Sequence, residues 1–173
     1  MTSSITHATP AAFYSYQLSR AMYEEIALDL LAADVDYLVG GGLKYFERRD
    51  TDERNLIEEM KGNGYQISTF IDVPLAEVNI FRDVKFAYFT ANEEPLQHSQ
   101  GRDYLLDACQ RGVQFLTRKK EQRFFFLVEG SQIDWGGHAN QGEWIIDEIR
   151  DFDQAVGKML DFAERDGETL ILV

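Results

Sequence analysis

The run Phe-Phe-Phe-Leu-Val at residues 124–128 constrains the fold most, because its apolar side chains do not alternate with polar ones. A strand of this kind has no solvent face and must be covered on both sides, as in a parallel sheet sandwiched between helices. Residues 169–173, Thr-Leu-Ile-Leu-Val, repeat the pattern. Between the two runs Ile145, Ile149, Phe152, Val156, Met159 and Phe162 recur at helical spacing. They predict a helix from about Gln141 to Arg165 with that stripe buried. Asn140 and Glu143 stand at capping-pair spacing before it, and Asp166-Gly167 ends it. Upstream, Thr9 and Pro10 predict an N-cap and first position for a helix running to about Ala33. Short strands are expected at 35–39, 65–70 and 84–89, and further helices at 51–61 and 103–119. No Pro/Gly/Ser-rich linker or repeat divides the chain. The pattern is therefore that of one α/β unit, a mostly parallel sheet sandwiched between helices.

Composition narrows the function classes. The 173 residues carry 17 basic and 30 acidic side chains, a formal charge of −13, with 45% apolar residues. That apolar fraction supports a globular chain. The acidic excess argues against tracking nucleic-acid backbones, which needs a basic face. No apolar run approaches the roughly 20 residues that span a bilayer. The first residues lack the basic-then-apolar pattern of a signal peptide. Cys109 is the single cysteine, so neither an internal disulfide nor a C-x-x-C zinc knuckle is available.

The segment after the first apolar run holds the densest chemistry. Glu129, Asp134 and His138 place two carboxylates and an imidazole within ten residues. Asp134 and His138 are four apart, a spacing that can bring oxygen and nitrogen onto one zinc ion. Glu129 could hold a harder ion such as magnesium through oxygen. Gly136-Gly137 would let the backbone fold tightly around an ion and argue against a regular helix there. The alternative, an acidic strand-to-helix loop with a surface histidine, stays open on spacing alone. Elsewhere the structural readings come first. Thr9 serves as an N-cap, Arg20 as a solvated charge, Trp135 as loop packing, His98 as an exposed loop residue, and Cys109 as a packed thiol. Residues 40–42, Gly-Gly-Gly, read as a turn, because Leu43-Lys44-Tyr45 lacks the G-K-[ST] ending of a phosphate loop.

Residues 125–134 followed by His138 resemble the V-E-G-x-x-I-D-x-x-x-H segment of alkaline phosphatases. Residues 6–13 with Ser19-Arg20 are similar to that family's A-T-P-A-A…S-R segment, and 36–46 to its D-x-x-x-G-G-G-x-x-x-F stretch. The resemblance implies that Asp134 and His138 are two of three ligands to a first zinc. It implies that Glu129 and Thr9 bind magnesium, and that Arg20 grips substrate phosphate. His7 and Trp135 fall at positions that vary in the family, where they would tune magnesium and phosphate binding. It further implies an internal part of a catalytic domain: the nucleophilic serine before residue 1, the T-A-D-H motif and last zinc histidine after residue 173. The parent would be a homodimeric, periplasmic or extracellular phosphate monoester hydrolase with two zinc ions and a magnesium per site, acting through a phosphoserine. This part alone is expected to lack turnover. A related metal-dependent phosphodiesterase or sulfatase, or a non-catalytic binding domain, are the alternatives.

Overall fold

Three strands pair in parallel in the order β1-β3-β2, with β1 at Tyr37–Gly40, β2 at Tyr65–Thr69 and β3 at Lys85–Phe89. The computed structural model describes residues 3–118 and 123–173. Tyr37 stands opposite Phe86, and Tyr65 opposite Lys85. Alternation splits the central strand between two cores. Ala87 and Phe89 join Leu38 against Ala27, Leu30, Leu56 and Met60. Phe86 and Tyr88 join Tyr37 and Val39 against Ala108 and Phe115. Helices α2 (Tyr23–Ala32) and α4 (Leu56–Gly62) supply the first layer, and α5 (Tyr104–Leu116) the second. The expected α/β sandwich is therefore present. Lys119, the expected end of α5, lies outside the described residues.

Several elements differ from expectation, each for a local reason. The first helix divides into α1 (Ala8–Ala11) and α2, and α1 takes His7 rather than Thr9 as its N-cap. The intervening chain is held by side chains: Tyr14 Oη donates to Ile5 O at 2.7 Å, and Ser15 and Gln17 both donate to Asp29 Oδ2. Such side-chain bonds compete with a continuous helix. Gly40 passes through the glycine turn into a short helix α3 (Lys44–Glu47). The helix expected from Thr51 begins instead at Leu56, where Asn55 accepts a hydrogen bond from Glu58 N at 3.2 Å.

Residues 124–128 and 169–173 form no strand. A strand needs a neighbour's N–H and C=O groups, and β1 pairs only with β3 among the described residues. Between β1 and residues 124–127 lies an open groove of about 630 Å³, lined by Val35, Tyr37, Val39, Phe124 and Phe126. Phe125 is 72% exposed, and its ring meets that of Phe13 at 5.4 Å.

The last third is helical straight through the glycine pair, which lies inside α6 (Gln132–His138), and again in α7 (Gly142–Asp166). Gly136 stays helical because tertiary packing overrides its low propensity. A Cβ there would lie 3.0 Å from Ile145 Cγ1 and 3.1 Å from Ile145 N, so glycine permits the close α6–α7 approach. Asn140 does not cap α7. Its φ of 52° and its N–H to Gly137 O at 3.1 Å place it as the left-handed stop of α6. The buried stripe of α7 is also shifted: Ile149 is 47% exposed, whereas Glu148, Asp151 and Ala155 are buried.

The tyrosines of these cores make stability depend on alkaline pH. Burial pushes the Tyr14, Tyr37 and Tyr104 hydroxyls well above the usual tyrosine range and holds Tyr45 and Tyr65 at about 12. A folded value above the unfolded one (about 10) gives stability that is complete below pH 10 and lost as pH rises through the folded value. Tyr37, which donates to Ala108 O at 2.8 Å, removes up to about 1.4 kcal/mol per pH unit above 10. Urea midpoints should therefore fall between about pH 9 and 11, and Tyr37→Phe should lessen the fall. An unchanged midpoint would contradict this.

Candidate metal and phosphate site

Asp134 and His138 project from α6 one turn apart, and Asp134 Oδ2 lies 3.5 Å from His138 Nε2. Two ligand atoms about 2.0–2.1 Å from a tetrahedral zinc are roughly 3.4 Å apart, so the pair has the separation one cation would impose. Both side chains are largely exposed, leaving the remaining coordination positions accessible. Without a metal the same contact is an i,i+4 helix pair of the ordinary kind. No cluster of three or more His, Cys, Asp or Glu side chains able to hold a metal occurs among the described residues. The pair is thus a two-donor arrangement.

The helical turn does what the glycines were expected to oppose. It stacks residues four apart on one face, which a tight irregular loop would not guarantee. Glu129 lies five residues before Asp134, half-buried, with Oε2 shielded from solvent. Trp135 follows Asp134 on α6, and its ring meets that of His7 at 5.9 Å. That contact brings the first segment of the chain beside α6. Thr9 lies exposed on α1, and Arg20 lies exposed in the turn before α2 rather than on a helix.

His7 is the better fixed of the residues near the start. Its Nε2 is 3.1 Å from Glu94 Oε1, its Nδ1 is 3.2 Å from Ser3 Oγ, and its ring meets Tyr23 at 5.5 Å. Glu94 belongs to residues 91–101, a segment that contacts the glycine turn, α6 and α7. Ala91 and Asn92 carbonyls accept from Gly42, Leu43 and Lys44 N–H groups, and Lys44 pairs with Glu93. Gln132 Nε2 on α6 donates to Pro95 O at 2.8 Å and Leu96 O at 3.1 Å. His98 is not the free surface residue expected. Its Nδ1 lies 2.9 Å from Asp147 Oδ2 and its N–H donates to Glu148 Oε1 on α7. Sequence reasoning passed over Glu94, although Glu93-Glu94 lies in the loop just after β3, and loops beyond the carboxyl ends of parallel strands carry functional groups.

A family model described as alkaline phosphatase matches residues 1–173. The chain belongs to the alkaline phosphatase family. Alkaline phosphatase 3 of Bacillus subtilis (strain 168) is 36% identical over 99% of this chain and 37% of its own length. The solved alkaline phosphatase of the Antarctic bacterium TAB5 superposes with a TM-score of 0.90 at 42% identity, covering 97% of this chain and 48% of that one. A variant of the TAB5 enzyme, with one histidine replaced by glutamate, has magnesium bound in its M3 site; its TM-score is 0.88 at 41% identity. The chain thus spans between about a third and a half of the length of these alkaline phosphatases.

Proposed function

We propose that the polypeptide carrying this chain hydrolyses phosphate monoesters, and that residues 1–173 form part of its catalytic domain. The observation that carries this reading is the Asp134–His138 pair, 3.5 Å apart, in a chain of the alkaline phosphatase family. Asp134 and His138 would hold zinc, with Glu129 and Thr9 contributing oxygen to magnesium. Bound there, divalent ions would activate the nucleophile and neutralise the developing charge of phosphoryl transfer. Arg20, free at the surface to swing, presents two parallel donors to phosphate oxygens. Trp135 and His7, whose rings meet at 5.9 Å, would tune magnesium and phosphate binding. A second zinc, a serine nucleophile, a phosphoserine intermediate, a homodimer and a periplasmic or extracellular setting complete the proposal from family resemblance. Local positive charge at such a site explains how a chain of charge −13 would bind a dianion.

The same reading makes the isolated chain inactive. A two-donor cation site binds more weakly than a three-donor one, and the covalent route needs a nucleophile. Incubated with zinc, magnesium and p-nitrophenyl phosphate, the 173-residue chain should show no serine-type turnover. Robust turnover by this chain would overturn the proposed division of the site.

A further inference from the structure

We infer that Glu94 is a positioning residue for His7, fixing its Nε2–H tautomer and its ring plane against Trp135. An ionised carboxylate can only accept hydrogen bonds, so the 3.1 Å contact requires the proton on Nε2. Nδ1 then carries the lone pair and accepts from the Ser3 hydroxyl at 3.2 Å. Ser3 is buried, and the His7 side chain is only 12% exposed. Tyr23 and Trp135 flank the ring at 5.5 and 5.9 Å. A flipped ring would lose both hydrogen bonds while keeping the same aromatic contacts, so the two polar partners decide the orientation.

Glu94 is itself held on both sides. Its predecessor Glu93 pairs with Lys44, and the Pro95 carbonyl that follows accepts from Gln132 on α6. The backbone at Glu94 is therefore anchored to the glycine turn and to the helix bearing Asp134, which fixes where its carboxylate starts. A carboxylate accepting from one ring nitrogen is a common means of fixing a histidine's tautomer and ring orientation, as it does for metal-ligating histidines. Its bearing on phosphate chemistry rests on the proposed function; the tautomer and ring orientation do not.

Long-range ¹H–¹⁵N spectra of the labelled chain test this without metal or turnover, so failure here is separable from failure of the phosphatase reading. The chain has three histidines, which His7→Asn assigns. His7 should show the Nε2–H tautomer with carbon-bound protons shifted upfield by the flanking rings. Glu94→Ala should give mixed tautomers and lose the upfield shift at His7 alone, leaving His98 and His138 unchanged. Glu94→Gln, whose amide oxygen still accepts, should restore the native pattern. An Nδ1–H tautomer in the unaltered chain, or a Glu94→Ala spectrum identical to it, would overturn the inference.

Discussion

Replacing Arg102 by alanine should lower the unfolding free energy by about 3–5 kcal/mol, the usual cost of removing one partner from a buried ion pair. The Arg102 side chain is 1% exposed and sits between Glu148 and Asp151, donating to Asp151 Oδ2 at 2.9 Å and pairing with Glu148. Without the guanidinium both carboxylates stay buried with no Lys or Arg paired to them among the described residues; the His98 ring lies beside them, its Nε2 3.9 Å from Asp151. Urea unfolding of Arg102→Ala measures the loss. Arg102→Lys should fall between, because one ammonium cannot replace a planar fork aimed at two carboxylates. A loss below about 1 kcal/mol would mean the cluster is solvated rather than buried. The consequence reaches the site. This cluster sets which face of α7 points inward, and α7 carries Ile145, against which α6 packs at Gly136. Asp134 and His138 thus owe their placement partly to a salt bridge about one turn further along α7.

Gly41→Ala should cost about 3 kcal/mol or more, at the upper end of overpacking effects. A Cβ at this position would lie 2.0 Å from the Glu93 carbonyl oxygen. That atom is backbone, so no rotamer change relieves the clash. Gly41 also joins two segments: its N–H donates to Ser3 O at 2.9 Å, and its carbonyl accepts from Ile5 N at 3.0 Å. Forcing Glu93 away would loosen Glu94 and Ser3, the two partners of His7, together. Gly62→Ala provides the contrast. It ends α4 with nothing within 4 Å of the added Cβ, so it should be neutral or slightly stabilising. Equal melting temperatures for the two variants would contradict the packing described for residue 41.

Much of this architecture was legible because it is local. The strands β2 and β3, the start of α5 and both ends of α7 fall within about a residue of where the sequence places them. The Asp134–His138 spacing was equally visible, although the helix that makes i and i+4 neighbours was not expected across Gly136-Gly137. What escaped reading depended on distant partners. His7 and Glu94 are 87 residues apart, and no periodicity links them. Arg102 meets α7 residues 46 and 49 positions away, which is why a helix read by its isoleucines turns its acidic residues inward instead. The first helix was overrun because apolar spacing does not show that Ser15 and Gln17 both bond to Asp29. Residues 124–128 were read as a strand on composition. Apolar composition supplies the wish for burial but not the neighbouring backbone.

The central claim, that Asp134 and His138 act together on one cation, is tested most directly by calorimetric zinc titration of the chain beside its Asp134→Ala and His138→Ala variants. The expected result is one weak site in the unaltered chain, lost in either variant, while Glu59→Ala on α4 leaves it unchanged. Zinc affinity equal in all four proteins, or no binding by the unaltered chain at millimolar zinc, would contradict a shared cation at this pair.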